Sequence, residues 1–209
     1  MFRLHSISGL TACVVLVALV VASGFFLLKP VPVTNYPSSG TDIIAFGDSL
    51  VQGVGATPGN DFVSVVSRSI GAPIINLGKA GDTTADGVAR LADIDRYNPK
   101  IVIVLLGGND YLRKIPITET YKNLSIIIEH IHSRGAIVLL LGVRGGLLRD
   151  SFEDQFTQLR DTYHTAFVSN VLDGLLANPQ YMSDAIHPND TGYRAIAERV
   201  YIVLKKLYD

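Results

Sequence analysis

Ile43-Ile44-Ala45-Phe46-Gly47-Asp48-Ser49-Leu50 is an apolar run that stops at a Gly-Asp pair, with a serine where the chain must turn. A buried strand, a tight turn and an exposed hydroxyl together present a serine for nucleophilic attack. Gly-Asp-Ser also occurs in ordinary turns. The reading of Ser49 therefore depends on what the rest of the chain places beside it.

After this stretch, short apolar runs alternate with amphipathic helical patterns. The runs predict strands at Asp42–Phe46, Pro73–Asn76, Ile101–Leu106, Ile137–Leu141 and Ala166–Ser169. The helical patterns fall near Phe62–Ser69, Thr84–Asp95, Thr118–Ser133, Ser151–His164 and Thr191–Leu207. Tyr121, Leu124, Ile128 and Ile131 recur at three- and four-residue intervals, as do Tyr193, Ile196, Ala197, Val200, Leu204 and Leu207, so each of these two helices has one stripe to bury. Asp190 or Thr191 is the expected N-cap of the last helix. The strands are unbroken Ile/Val/Leu runs, which suits strands covered on both faces. The alternation predicts an α/β fold with a parallel sheet and helices on either side. In such sheets, sites lie beyond the carboxyl ends of the strands.

The loops at those ends carry chemistry. The second strand runs into Gly78-Lys79-Ala80-Gly81-Asp82-Thr83-Thr84, where Asp82 or Thr83 is placed to cap a helix and glycine frees a backbone N–H for an anion. Gly107-Gly108-Asn109-Asp110 follows the third strand and offers a neutral side-chain N–H from Asn109. Asp184-Ala185-Ile186-His187-Pro188 precedes the last helix and sets an aspartate three residues before a histidine. Acyl transfer needs a nucleophile, a base, a group to orient the base, and donors for the developing oxyanion. All of these residue types fall on one predicted sheet edge. Asp110 is expected to support its own loop.

Composition narrows the alternatives. The chain has 209 residues and a formal net charge of -1, without a basic run, which argues against a nucleic-acid surface. Its one cysteine, Cys13, leaves no disulfide to form within the chain. His130 and His132 lie two apart on a predicted helix and point to different faces, so no metal pair is expected there. No cofactor motif is present.

The N-terminal segment is different in kind. Ile7 to Leu28 contains no charged residue, and a helix of that length spans about 33 Å, enough for a bilayer core of about 30 Å. Arg3 and the terminal amine before it favour a cytoplasmic N-terminus, and Lys29 with Pro30 ends it. Residues 1–28 are therefore read as a membrane anchor. A cleaved signal ending near Ala22-Ser23-Gly24 is the alternative, and a lipoprotein box at Leu10-Thr11-Ala12-Cys13 a third. All three place the domain on the extracytoplasmic side. Residues 29–41, with Pro30, Pro32, Pro37 and Ser38-Ser39-Gly40, read as a linker that is loose at its end, and 42–209 as the catalytic domain.

Taken together, the blocks Gly47-Asp48-Ser49-Leu50 with Gly53, Gly81-Asp82-Thr83, Gly107-Gly108-Asn109-Asp110 and Asp184 with His187 resemble those of the SGNH (GDSL) hydrolase family, in its order and at suitable spacing. The resemblance covers the chain from about Asp42 onward. It is most similar to the bacterial thioesterase, lysophospholipase and arylesterase branch. No Gly-x-Ser-x-Gly elbow of the ordinary α/β-hydrolases is present. The resemblance implies a flavodoxin-like three-layer α/β/α sandwich of five parallel strands in the order 2-1-3-4-5. It implies a catalytic Ser49, His187 and Asp184, an oxyanion hole of Ser49, Gly81 and Asn109, and an acyl ester or thioester substrate. The loop after Leu141-Gly142-Val143-Arg144 borders the acyl site in that branch, so Arg144, Leu147 and Leu148 are expected at the substrate mouth. Gly145-Gly146-Leu147-Leu148 departs from the branch's Leu-Pro-containing loop, which leaves acyl-chain preference open. A cell-envelope sugar O-acetyl esterase and an inactive membrane-tethered binding module are the rival readings.

Overall fold

The protein is described from a computed structural model covering residues 32–143 and 151–208. Five strands form one sheet: β1 (Asp42–Gly47), β2 (Ile74–Gly78), β3 (Pro99–Leu105), β4 (Ile137–Leu141) and β5 (Ala166–Val168). All pairs are parallel and the order is β2-β1-β3-β4-β5. The helices are α1 (Ser49–Gln52), α2 (Phe62–Ile70), α3 (Thr84–Ala89), α4 (Gly108–Leu112), α5 (Ile117–Ser133), α6 (Ser151–Tyr163) and α7 (Asp190–Tyr208).

Successive side chains along a strand face opposite sides of the sheet. Every residue from Ile101 to Leu105 and from Ile137 to Leu141 is fully buried, so both faces of the central strands are covered. Helices α2 and α7 pack together, and α5 packs against α3 and α6. The expected stripe of α7 is buried in full: Tyr193, Ile196, Ala197, Val200, Leu204 and Leu207. On α5 the buried set contains Leu124, Ile128 and Ile131, with Thr120 and Ile127 added and Tyr121 only partly covered.

Three local expectations change. The helix expected over Thr84–Asp95 stops at Ala89, and a 3-10 turn, Leu91–Arg96, follows. Arg90 stands at the break with φ -118° and ψ 25°, its side chain turned inward. The N-cap of α7 is Asn189, whose side-chain oxygen accepts from Thr191 N (2.9 Å) and Gly192 N (3.1 Å). Asp190 instead accepts from the N–H and hydroxyl of Thr57 at 2.7 and 2.6 Å. Helix α6 ends one residue early because His164 takes a left-handed φ of 50°.

The described part of the expected linker is docked on the domain. Asn35 donates to the carbonyls of His132 and Ala136, and Ser38 donates to that of Gly135, which satisfies groups at the end of α5. Thr34 donates to the His164 carbonyl at 3.0 Å. The expected membrane segment lies outside the described residues, and among these no helix is long and apolar enough to cross a membrane.

Ile103 sits at the centre of β3, fully buried and paired on both sides. Ile103→Ala is expected to remove about 2–5 kcal/mol of stability, read as a lower urea midpoint at unchanged slope.

Candidate active site

Ser49 opens α1 directly beyond β1. Asp48 caps that turn, its carboxylate accepting from Leu50 N at 3.0 Å, and Gly53 closes it with φ 91°. The tight turn expected from sequence is thus one short turn of helix. It holds the serine at the carboxyl edge of the sheet.

His187 Nε2 lies 3.1 Å from Ser49 Oγ, and His187 Nδ1 lies 2.7 Å from Asp184 Oδ2. With Nδ1–H donating to the carboxylate, Nε2 is left to accept from the serine hydroxyl. The other oxygen of Asp184 accepts from Ile186 N (2.8 Å) and His187 N (2.7 Å), so loop and side chain orient each other. The His187 ring and then these two N–H groups draw the Asp184 carboxyl down to about 2. Its side chain is 53% exposed and that of His187 16%.

The two loops are clasped together. The Tyr193 hydroxyl donates to the Val54 carbonyl at 2.8 Å, and Asp190 holds Thr57. Gly55 lies between them with φ +94°; a Cβ there would fall 2.3 Å from Ser183 Oγ and 2.5 Å from the Pro188 carbonyl oxygen. Only glycine fits that approach.

Gly81 takes φ +86° in the loop after β2. Asn109 Nδ2 donates to the Asp82 carbonyl at 2.9 Å, which brings the third strand's loop onto the second's and leaves its other N–H unspent. Among the described residues no hydrogen bond engages the N–H of Ser49 or of Gly81. Thr83 caps α3 in a reciprocal box with Asp86. Asp110 is fully buried and accepts from Thr84 N (2.9 Å), the Thr84 hydroxyl and Thr120 Oγ1 (3.1 Å), the supporting role expected for it. Arg144, Leu147 and Leu148 lie outside the described residues.

Two parts of the site were not anticipated. Arg90 donates from Nε to Asp82, from Nη1 to the Leu77 carbonyl (2.9 Å) and from Nη2 to the Gly47 carbonyl (2.8 Å), and stacks over the Phe46 ring 4.1 Å from its centroid. Its trace in the sequence is its phase: it stands three residues after Gly87 and four before Ile94, both buried, where a charge needs partners. The second is Asp48, 3% exposed, whose side-chain carboxyl accepts, among the described residues, from the Leu50 N–H alone. Burial outweighs that bond and pushes the Asp48 carboxyl up to about 7.

Hydroxyl, imidazole and carboxylate stand in hydrogen-bonded succession, with unspent N–H groups on the adjoining loops, the geometry that activation of a serine requires. The model of the GDSL-like Lipase/Acylhydrolase family matches residues 45–195. The chain is similar to the arylesterase of Vibrio mimicus, 29% identical over 170 residues that make up 76% of this chain and 85% of that protein. It is also similar to thioesterase 1/protease 1/lysophospholipase L1 of Escherichia coli K12, 30% identical over 132 residues, 60% of this chain and 64% of that protein. The crystal structure of TesA superposes with a TM-score of 0.74 at 27% identity, covering 80% of this chain and 99% of the other.

The raised Asp48 carboxyl has a consequence for stability. Above the unfolded value of 3.8 the unfolded chain releases this proton while the folded chain keeps it until about pH 7. The parent's urea midpoint should therefore fall between pH 4 and 7 relative to that of Asp48→Asn, which keeps an acceptor for Leu50 N; parallel midpoints would contradict this. Asp184 acts in the opposite sense: what it contributes is present above pH 4 and is lost toward about 2.

Proposed function

Because the chain belongs to the GDSL-like lipase/acylhydrolase family, and is a hydrolase acting on ester bonds, we propose that it cleaves acyl esters or thioesters through an acyl-serine formed on Ser49. The observation that carries this reading is the hydrogen-bonded succession Asp184–His187–Ser49, at 2.7 and 3.1 Å.

His187 Nε2 takes the proton of Ser49 as Oγ attacks the carbonyl carbon. Asp184 keeps the ring oriented and stabilises its cation. The oxyanion is met by the N–H groups of Ser49 and Gly81 and by the side-chain amide of Asn109. His187 returns its proton to the leaving group, then activates the water that releases the acyl group and restores Ser49.

The surface near Asn109 supports an acyl portion larger than acetyl: Tyr111 and Leu112, two and three residues on in the same short helix, are 43% and 53% exposed. In the branch that the chain resembles, the loop corresponding to Arg144, Leu147 and Leu148 borders the acyl site. The uncharged run Ile7–Leu28 supports membrane attachment by residues 1–28, with the hydrolase domain from Asp42 on the extracytoplasmic side.

Ser49→Ala and His187→Ala are expected to abolish hydrolysis of p-nitrophenyl butyrate. Asn109→Ala should lower kcat by about 10²–10³ with little change in KM. Full activity in Ser49→Ala would refute the mechanism. Across p-nitrophenyl esters from acetyl to palmitoyl, cleavage should extend beyond acetyl. Acetyl-only cleavage would favour the sugar O-acetyl esterase, and no cleavage the binding module.

A further inference from the structure

Arg90 is remote from the reacting hydroxyl in sequence, yet it grips the ends of β1 and β2, whose loops carry two of the proposed oxyanion donors, and meets the loop of the third, Asn109, through Asp82. Its Nη2 holds the Gly47 carbonyl, two residues before Ser49. Its Nη1 holds the Leu77 carbonyl at the end of β2, and its Nε holds the carboxylate of Asp82, the neighbour of Gly81. Asp82 in turn receives Asn109 Nδ2 on its own carbonyl at 2.9 Å. The side chains of Arg90 and Asp82 are 14% and 6% exposed, so water competes little for these bonds.

A guanidinium suits this place because it is planar, always charged, and offers donors in a fixed fork. An ammonium is a point charge on a flexible stem and does not fix three acceptors at set angles. The stacking on Phe46, itself fully buried in β1, holds the plane of the fork. The helix break at Arg90 is the local cost of this arrangement, since the residue leaves helical geometry at the point where its side chain turns in.

We propose that Arg90, acting through Asp82, is the positioning residue of the oxyanion hole: it sets the separation of the Ser49, Gly81 and Asn109 donors and touches no substrate atom itself. The inference rests on the acyl-serine reading above. Donors aimed at a developing charge act through preorganisation, and displacement of about 1 Å costs on the order of 10²-fold in rate.

The test is a double-mutant cycle on the full chain, with p-nitrophenyl butyrate as substrate and thermal unfolding as a control of folding. Arg90→Met should lower kcat by about 10²-fold with KM changed less than about threefold. Arg90→Lys should recover only a small part of the loss. In the Asn109→Ala background, where the hole is already broken, Arg90→Met should cost about tenfold less than in the parent. An equal factor in both backgrounds, or an unchanged kcat in a folded Arg90→Met protein, would overturn the proposal. Should Arg90→Met not fold, Asp82→Asn reads the same link: a kcat loss that shrinks in the Asn109→Ala background supports it, and an additive loss overturns it. An active Ser49→Ala would overturn the acyl-serine reading itself, whereas an inactive Ser49→Ala beside an unaffected Arg90→Met would overturn the positioning role alone.

Discussion

The parallel pairing of β1 with both β2 and β3 is the constraint on which the site depends. Gly47 pairs with Gly78 on one side and with Leu105 on the other, so three strands end level. Ser49, Gly81 and Asn109 then follow within a few residues of that common edge. Strand β1 is also where the order reverses, with β2 to one side and β3, β4 and β5 to the other. Loops from neighbouring strands part at such a point and leave a crevice. The serine is presented into it because β1 must stop there.

The base comes from a different part of the chain, and its placement has a separate cause. His187 and Asp184 lie on the loop before α7, not at the end of a paired strand. That loop is held against the serine loop by the Tyr193 hydroxyl on Val54, by Asp190 on Thr57, and by the close approach at Gly55. Asn189 both caps α7 and donates to the Gln180 carbonyl, so helix and loop are fixed by one side chain. The Ser49–His187 distance is thus set by packing over long sequence separations.

Three aspartates are buried close to the serine, and each is handled by different chemistry. Asp82 has a cation, Arg90. Asp110 has two hydroxyls and a backbone N–H. Asp48 has one N–H, and burial pushes its carboxyl up. A buried carboxylate needs compensation or a proton. Here a positive fork, a neutral donor network and proton uptake serve in turn within one site.

The sequence by itself determined the alternation of strand and helix, the burial of Ile101–Leu105 and Ile137–Leu141, and the stripe of α7. Those follow from hydrophobic pattern, which is local and survives without knowledge of neighbours. It also marked Ser49, Gly81, Asn109, Asp184 and His187, since motif spacing and strand ends are readable along one dimension. Only the tertiary structure decided that Arg90 breaks its helix to hold three acceptors at the ends of β1 and β2, that Asn189 rather than Asp190 caps α7, and that Asn35 and Ser38 dock on the end of α5. Each of these depends on which donor meets which acceptor across many residues of chain. Periodicity says which face is buried, but the partner of a buried polar group is chosen by the fold.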